Sequence, residues 1–126
     1  MSLTREQIRS GWVQQIAREG GGIHVLSDAE LEASRRATLA RAPSDDIWVF
    51  GYGSLIWNPA FHFVERRLGT IHGWHRRFCL WTTLGRGSPD CPGLMLGLDR
   101  GGSCRGIVLR IAPEDVEVEL DVLWRR

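Results

Sequence analysis

Between Ile47 and Pro59 the chain passes from an apolar, aromatic run straight into two glycines set two residues apart, IWVFGYGSLIWNP. Ile47 to Tyr52 predicts a short buried strand, because β-branched and aromatic side chains dominate it and a turn signal follows. Gly51 and Gly53 free the backbone to bend sharply at the strand end and to aim amides at a ligand. Ser54 adds a hydroxyl that can donate or accept. A nest of amides suits a carboxylate or a developing oxyanion, since its donors are fixed before the ligand arrives. By itself a G-x-G pair is more often a plain turn. It is not a dinucleotide fingerprint, because the third glycine and a suitably spaced acid are missing.

The elements around this segment set the fold class. Thr4-x-x-Gln7 and Ser27-x-x-Glu30 have the form of capping boxes, in which side chains satisfy the orphan amides of a helix's first turn. Ile8, Trp12, Val13 and Ile16 follow the first box at helical spacing until Gly20-Gly21-Gly22, and Leu31 and Leu39 follow the second until Pro43. Residues 1–43 therefore read as an accessory helical hairpin with no chemistry of its own. Pro43-Ser44-Asp45-Asp46 is a polar break. After Ile47–Tyr52, strands are predicted at Arg76–Thr83, Leu94–Leu98 and Cys104–Ile111, with Asp99-Arg100-Gly101-Gly102 as a turn between the last two. Pro113 opens a final helix whose apolar face carries Val116, Leu120, Leu123 and Trp124. That pattern is still running at Arg126, which reads as a fragment. Strands flanked by helices indicate an α+β domain over residues 44–126, with a largely antiparallel or barrel-like sheet.

Composition narrows the function. The 126 residues carry a net charge of +1, which asks for neither nucleic acid nor an anionic membrane as partner. No apolar run approaches the roughly 20 residues of a membrane span, and no signal-peptide pattern opens the chain. Three cysteines, Cys79, Cys91 and Cys104, stand at wide, irregular spacing without a metal-ligand pattern. They read as small hydrophobes in a reducing, cytoplasmic protein. His72 and His75, three apart in a strand, face opposite sides and do not share a metal readily. The six tryptophans are scattered without a basic patch and read as core and rim packing. Glu114, Glu117 and Glu119 read as helix surface.

The longer string resembles a known signature. WVFGYGSLIWNP is similar, nearly letter for letter, to that of the ChaC-type γ-glutamylcyclotransferase family. Gly73-Trp74-His75-Arg76-Arg77-Phe78-Cys79-Leu80-Trp81, Gly85-Arg86-Gly87, Pro92-Gly93-Leu94 and Cys104-Arg105-Gly106 follow in the family's order. The resemblance implies a mixed β-barrel with flanking helices, incomplete in this chain, and no metal or organic cofactor. It implies glutathione as substrate, 5-oxoproline and cysteinylglycine as products, and ring closure by the substrate's own α-amine. It places the γ-glutamyl head group on Phe50, Gly51, Tyr52, Gly53, Ser54 and Leu55. Arg86 matches a family arginine near the substrate, in a turn formed by Gly85-Arg86-Gly87. The family's general base is a glutamate directly after the motif that here reads Leu123-Trp124-Arg125-Arg126, so it falls at the position following the last residue. A loop without its base leaves a second reading, a non-catalytic γ-glutamyl-binding or regulatory module.

Overall fold

The computed structural model describes residues 3–20, 25–87 and 92–126, with the backbone alone at 20, 81–87, 92 and 93. Both capping boxes form. The Gln7 amide donates to Thr4 Oγ1 at 3.1 Å while the Thr4 amide donates to Gln7 Oε1 at 2.9 Å. The Ser27 and Glu30 pair repeats this at 3.1 and 3.0 Å. The first helix is shorter than its apolar spacing predicts. Gly11 takes φ of +82°, a left-handed conformation open to glycine, and splits the run into α1 (Arg5–Arg9) and α2 (Trp12–Gly20). Helix α3 spans Asp28–Ala40 and stops short of Pro43, as predicted.

Three strands, β1 (Ile47–Gly51), β2 (Glu65–Gly87) and β3 (Pro92–Ile111), form an open antiparallel sheet in the order β1-β3-β2. A one-turn helix, α4 (Ser54–Trp57), sits between β1 and β2, and a 3-10 turn at Pro113–Asp115 leads into α5 (Val116–Arg125). The ladder runs from Ile47↔Ile111 to Gly51↔Ile107 on one side of β3, and from Glu65↔Arg110 outward to Gly87↔Pro92 on the other.

Two turn expectations are overturned. Asp99-Arg100-Gly101-Gly102 lies inside β3, and the backbone of Gly85-Arg86-Gly87 lies inside β2. The glycines at 101 and 102, with φ of +102° and +68°, oppose Gly73 at +88° between the pairs His72↔Ser103 and Trp74↔Arg100. Two residues against one is a bulge, which bends a ladder without ending it. His75 Nδ1 lies 2.8 Å from the Gly101 carbonyl oxygen and closes the irregularity. A bulge needs the same left-handed glycines as a turn, so residue type alone cannot separate the two.

The core sits on one face of the β1–β3 half of the sheet. Alternation along β3 buries Ile107, Leu109 and Ile111, and these pack with Ile8, Phe61, Leu120 and Val122. Each such side chain contributes about 1.5–3 kcal/mol by leaving water. Helices α1 and α3 both pack against α5. Glu119 corrects the surface reading: it is 3% exposed and lies inside this packing, whereas Glu114 and Glu117 are exposed. The β2 margin is uncovered, with Leu68 at 83% exposure beside its ladder partner Ile107. Trp57, at 78%, is likewise not a packing residue. The architecture is α+β, and among the described residues the sheet is not closed into a barrel.

Candidate active site

β1 delivers its last residue to a crowded point. A Cβ on Gly106 of β3 would stand 2.2 Å from the Gly51 carbonyl oxygen and 2.9 Å from the Phe50 ring. Only glycine lets the two strands approach this closely. Gly51 is buried, and a Cβ there would meet Leu55 and Ile107 at 3.0 and 3.4 Å. The chain must therefore turn away at once, and α4 begins three residues later.

The turn is open on its outer side. A Cβ on Gly53 would meet nothing within 4 Å, and Ser54 is exposed. Gly53 and Ser54 use their carbonyls, accepting from the amides of Ile56 at 2.9 Å and Asn58 at 2.8 Å. Among the described residues no partner accepts from the amides of Gly53, Ser54 or Leu55. The family resemblance expects amides of this loop to face a carboxylate, and the local fold leaves these three uncommitted.

Two arginines hold the turn from outside it. Arg76 Nη1 of β2 donates to the Tyr52 carbonyl oxygen at 3.1 Å. Arg126, just past α5, donates from Nη1 to the Pro59 carbonyl oxygen at 3.0 Å and from Nη2 to Ser54 Oγ at 3.3 Å. Burial lowers the Arg126 pKa from its ordinary value, yet an arginine stays charged at neutral pH. No acidic side chain pairs with Arg126 among the described residues. Asn58 Nδ2 donates to the Leu3 carbonyl oxygen at 2.8 Å and anchors the far end of the segment to the N-terminus.

The six loop residues thus divide. Gly53 and Ser54 face outward, while Leu55 packs against the core and Gly51 fills the strand contact. Phe50 stacks with Tyr52 at 6.3 Å between ring centroids. It also lines an open cleft of about 630 Å³ with Ile71, His72, Trp74 and Leu98. Arg86 belongs to β2 by its backbone, and its side chain lies outside the described residues. Sequence reasoning missed the contacts of Arg76 and Arg126 with the loop. Both stand in quoted motifs, but nothing local to either residue says where its guanidinium lands.

No group of three or more His, Cys, Asp or Glu side chains is placed to hold a metal among the described residues. Cys104 is buried and Cys79 half-buried, both as free thiols, and Cys91 lies outside the described residues. No described helix is long and apolar enough to cross a membrane.

Comparison with known proteins bears on the same stretch. The glutathione-specific gamma-glutamylcyclotransferase of Escherichia coli (strain K12) is 52% identical over 101 residues, which are 79% of this chain and 44% of that protein. Glutathione-specific gamma-glutamylcyclotransferase 1 of Mus musculus is 39% identical over 79 residues, 61% of this chain and 35% of that one. The chain therefore spans less than half the length of these relatives. A crystal structure of a glutathione-specific gamma-glutamyl cyclotransferase from yeast superposes with a TM-score of 0.58 at 29% identity, over 64% of this chain and 47% of that one. The family model described as ChaC-like protein matches residues 47–126. Because that match takes in everything from the first residue of β1 to Arg126, the chain belongs to the ChaC-like family.

Proposed function

We propose that the loop from Phe50 to Leu55 binds the γ-glutamyl head group of glutathione, and that the protein is a γ-glutamylcyclotransferase whose general base follows Arg126. The contact of Arg126 with Ser54 and Pro59 carries this reading. An arginine side chain holding the loop brings its own backbone within one side-chain length and one hydrogen bond of Ser54, and the next residue follows directly from there. A carboxylate at that next position would reach a ligand lying on the loop.

The chemistry asks for such a group. The α-amine of the γ-glutamyl unit attacks its own γ-carbonyl carbon, a five-membered lactam closes, and the peptide amine leaves. At neutral pH the attacking amine is largely an ammonium without a free lone pair, so a base must take its proton and an acid must return one to the leaving amine. A loop that holds the head group folded supplies the orientation from which ring closure profits. The open amides of Gly53, Ser54 and Leu55 and the Ser54 hydroxyl are suited to the α-carboxylate, with Arg86 as a second cation.

The experiment is 5-oxoproline release from glutathione by the 126-residue chain, by the natural reading frame extended past Arg126, and by that frame with the added glutamate changed to glutamine. The extended protein should turn over, and the other two should fall by the about 10²–10⁴-fold that a positioned base supplies. Robust turnover by the short chain would move the base to another group. Inactivity of a well-folded extended protein that still binds glutathione would leave the non-catalytic module.

A further inference from the structure

We infer that Arg126 is a positioning residue that locks the Ser54 hydroxyl into the donor role toward the substrate. The inference rests on the function proposed above and gives Arg126 a role toward substrate beyond holding the loop.

A serine hydroxyl has one hydrogen to donate and two lone pairs to accept with, and in solution it turns to suit its partner. A guanidinium has only donors. When Arg126 Nη2 sits 3.3 Å from Ser54 Oγ, the oxygen must accept from it. The hydroxyl hydrogen is then directed elsewhere, and the Ser54 side chain is exposed with no other hydrogen-bond partner for its hydroxyl among the described residues. The second bond, from Nη1 to the Pro59 carbonyl oxygen at 3.0 Å, fixes the guanidinium plane, so the contact with Ser54 is oriented. Ser54 and Pro59 bracket α4, and one side chain therefore sets both ends of the segment. The cation has no carboxylate neighbour among the described residues, so it polarises the hydroxyl toward an anionic acceptor. Ser54 presents a donor, and an α-carboxylate is an acceptor only.

Two features of this arrangement separate it from simple loop support. The effect of Arg126 on substrate passes through Ser54, so the two residues should not act independently. It also needs a donor at position 126 more than it needs the arginine's bulk.

The test is a double-mutant cycle in the full natural reading frame, read as KM and kcat for glutathione, with thermal unfolding of every variant. Arg126→Ala and Ser54→Ala should each raise KM by about 10-fold, the scale of one lost hydrogen bond to a charged group. The double variant should be no more than about twofold worse than the poorer single one, because coupled residues are non-additive. Arg126→Lys should recover most of the loss. Should Arg126→Ala fail to fold, Arg126→Met, which keeps the length of the side chain without a donor, takes its place in the cycle. Multiplying losses, or an unchanged KM with a lower melting temperature, would overturn the inference and reduce Arg126 to packing. A wild-type protein that releases no 5-oxoproline would instead remove the function, and this inference with it.

Discussion

Glu119 of α5 receives both terminal nitrogens of Arg5, from Nη1 to Oε1 at 2.5 Å and from Nη2 to Oε2 at 2.7 Å. The His62 amide donates to the same carboxylate at 2.6 Å, and Arg5 Nη1 also reaches the Ala60 carbonyl oxygen at 3.4 Å. One buried side chain thus joins α1, the segment after the loop and the helix that ends at the loop. Removing the carboxylate strands the Arg5 charge, and breaking a buried pair costs about 3–5 kcal/mol. Because Arg5 keeps 19% of its side-chain exposure, Glu119→Ala should fall at the low end, about 3 kcal/mol by urea unfolding. A change under about 0.5 kcal/mol, the level of an ordinary surface substitution, would return Glu119 to the surface.

The same pair gives acid sensitivity. The hydrogen bond from Arg5 holds the Glu119 carboxyl below its ordinary value, against desolvation, which acts the other way. A depressed carboxylate contributes stability above its unfolded pKa and loses it as pH falls through the folded one. Stability should therefore decline below about pH 4.3, the usual glutamate value, and Glu119→Gln should flatten part of that decline. The check is unfolding free energy against pH for both proteins. Parallel curves would assign the acid loss to other carboxylates, of which Asp28 and Asp99 are also held low by Arg125 and Arg77.

Gly106→Ala should strike the loop from behind. Its Cβ would need space now held by the Gly51 backbone oxygen at 2.2 Å, and a backbone atom cannot swing aside as a side-chain tip can. Overpacking of this kind costs about 1–3 kcal/mol, and the shift in β1 should also weaken glutathione binding. Gly53→Ala meets open space on the protein side and should leave unfolding nearly unchanged. Equal melting temperatures for Gly106→Ala and wild type would mean that the strands are not so close.

Arg86 stands on its match to the family pattern. As a cation for a substrate carboxylate it should contribute about 1.5–3 kcal/mol, so Arg86→Ala should weaken glutathione binding by roughly 10-fold or more in calorimetry. A loss below about 0.5 kcal/mol would make it a surface arginine.

The parts of this protein legible in the sequence are those decided within a few residues. Thr4 with Gln7 and Ser27 with Glu30 cap their helices because donor and acceptor lie one turn apart. Ile47 to Phe50 form a strand because each of these side chains suits the pleat, and the turn through Gly53 leaves amides open because nothing local closes them. What the tertiary structure decided are meetings between distant residues. Gly101 and Gly102 form a bulge because β2 supplies Gly73 opposite them, which no window of β3 contains. Glu119 lies in a helix whose acidic spacing looks like surface, and it is buried because Arg5, 114 residues away, arrives to neutralise it. Arg126 reaches Ser54 across 72 residues for the same reason: a long cationic side chain binds whatever acceptor the packing of α5 against the sheet brings near, and that packing is a property of the assembled core.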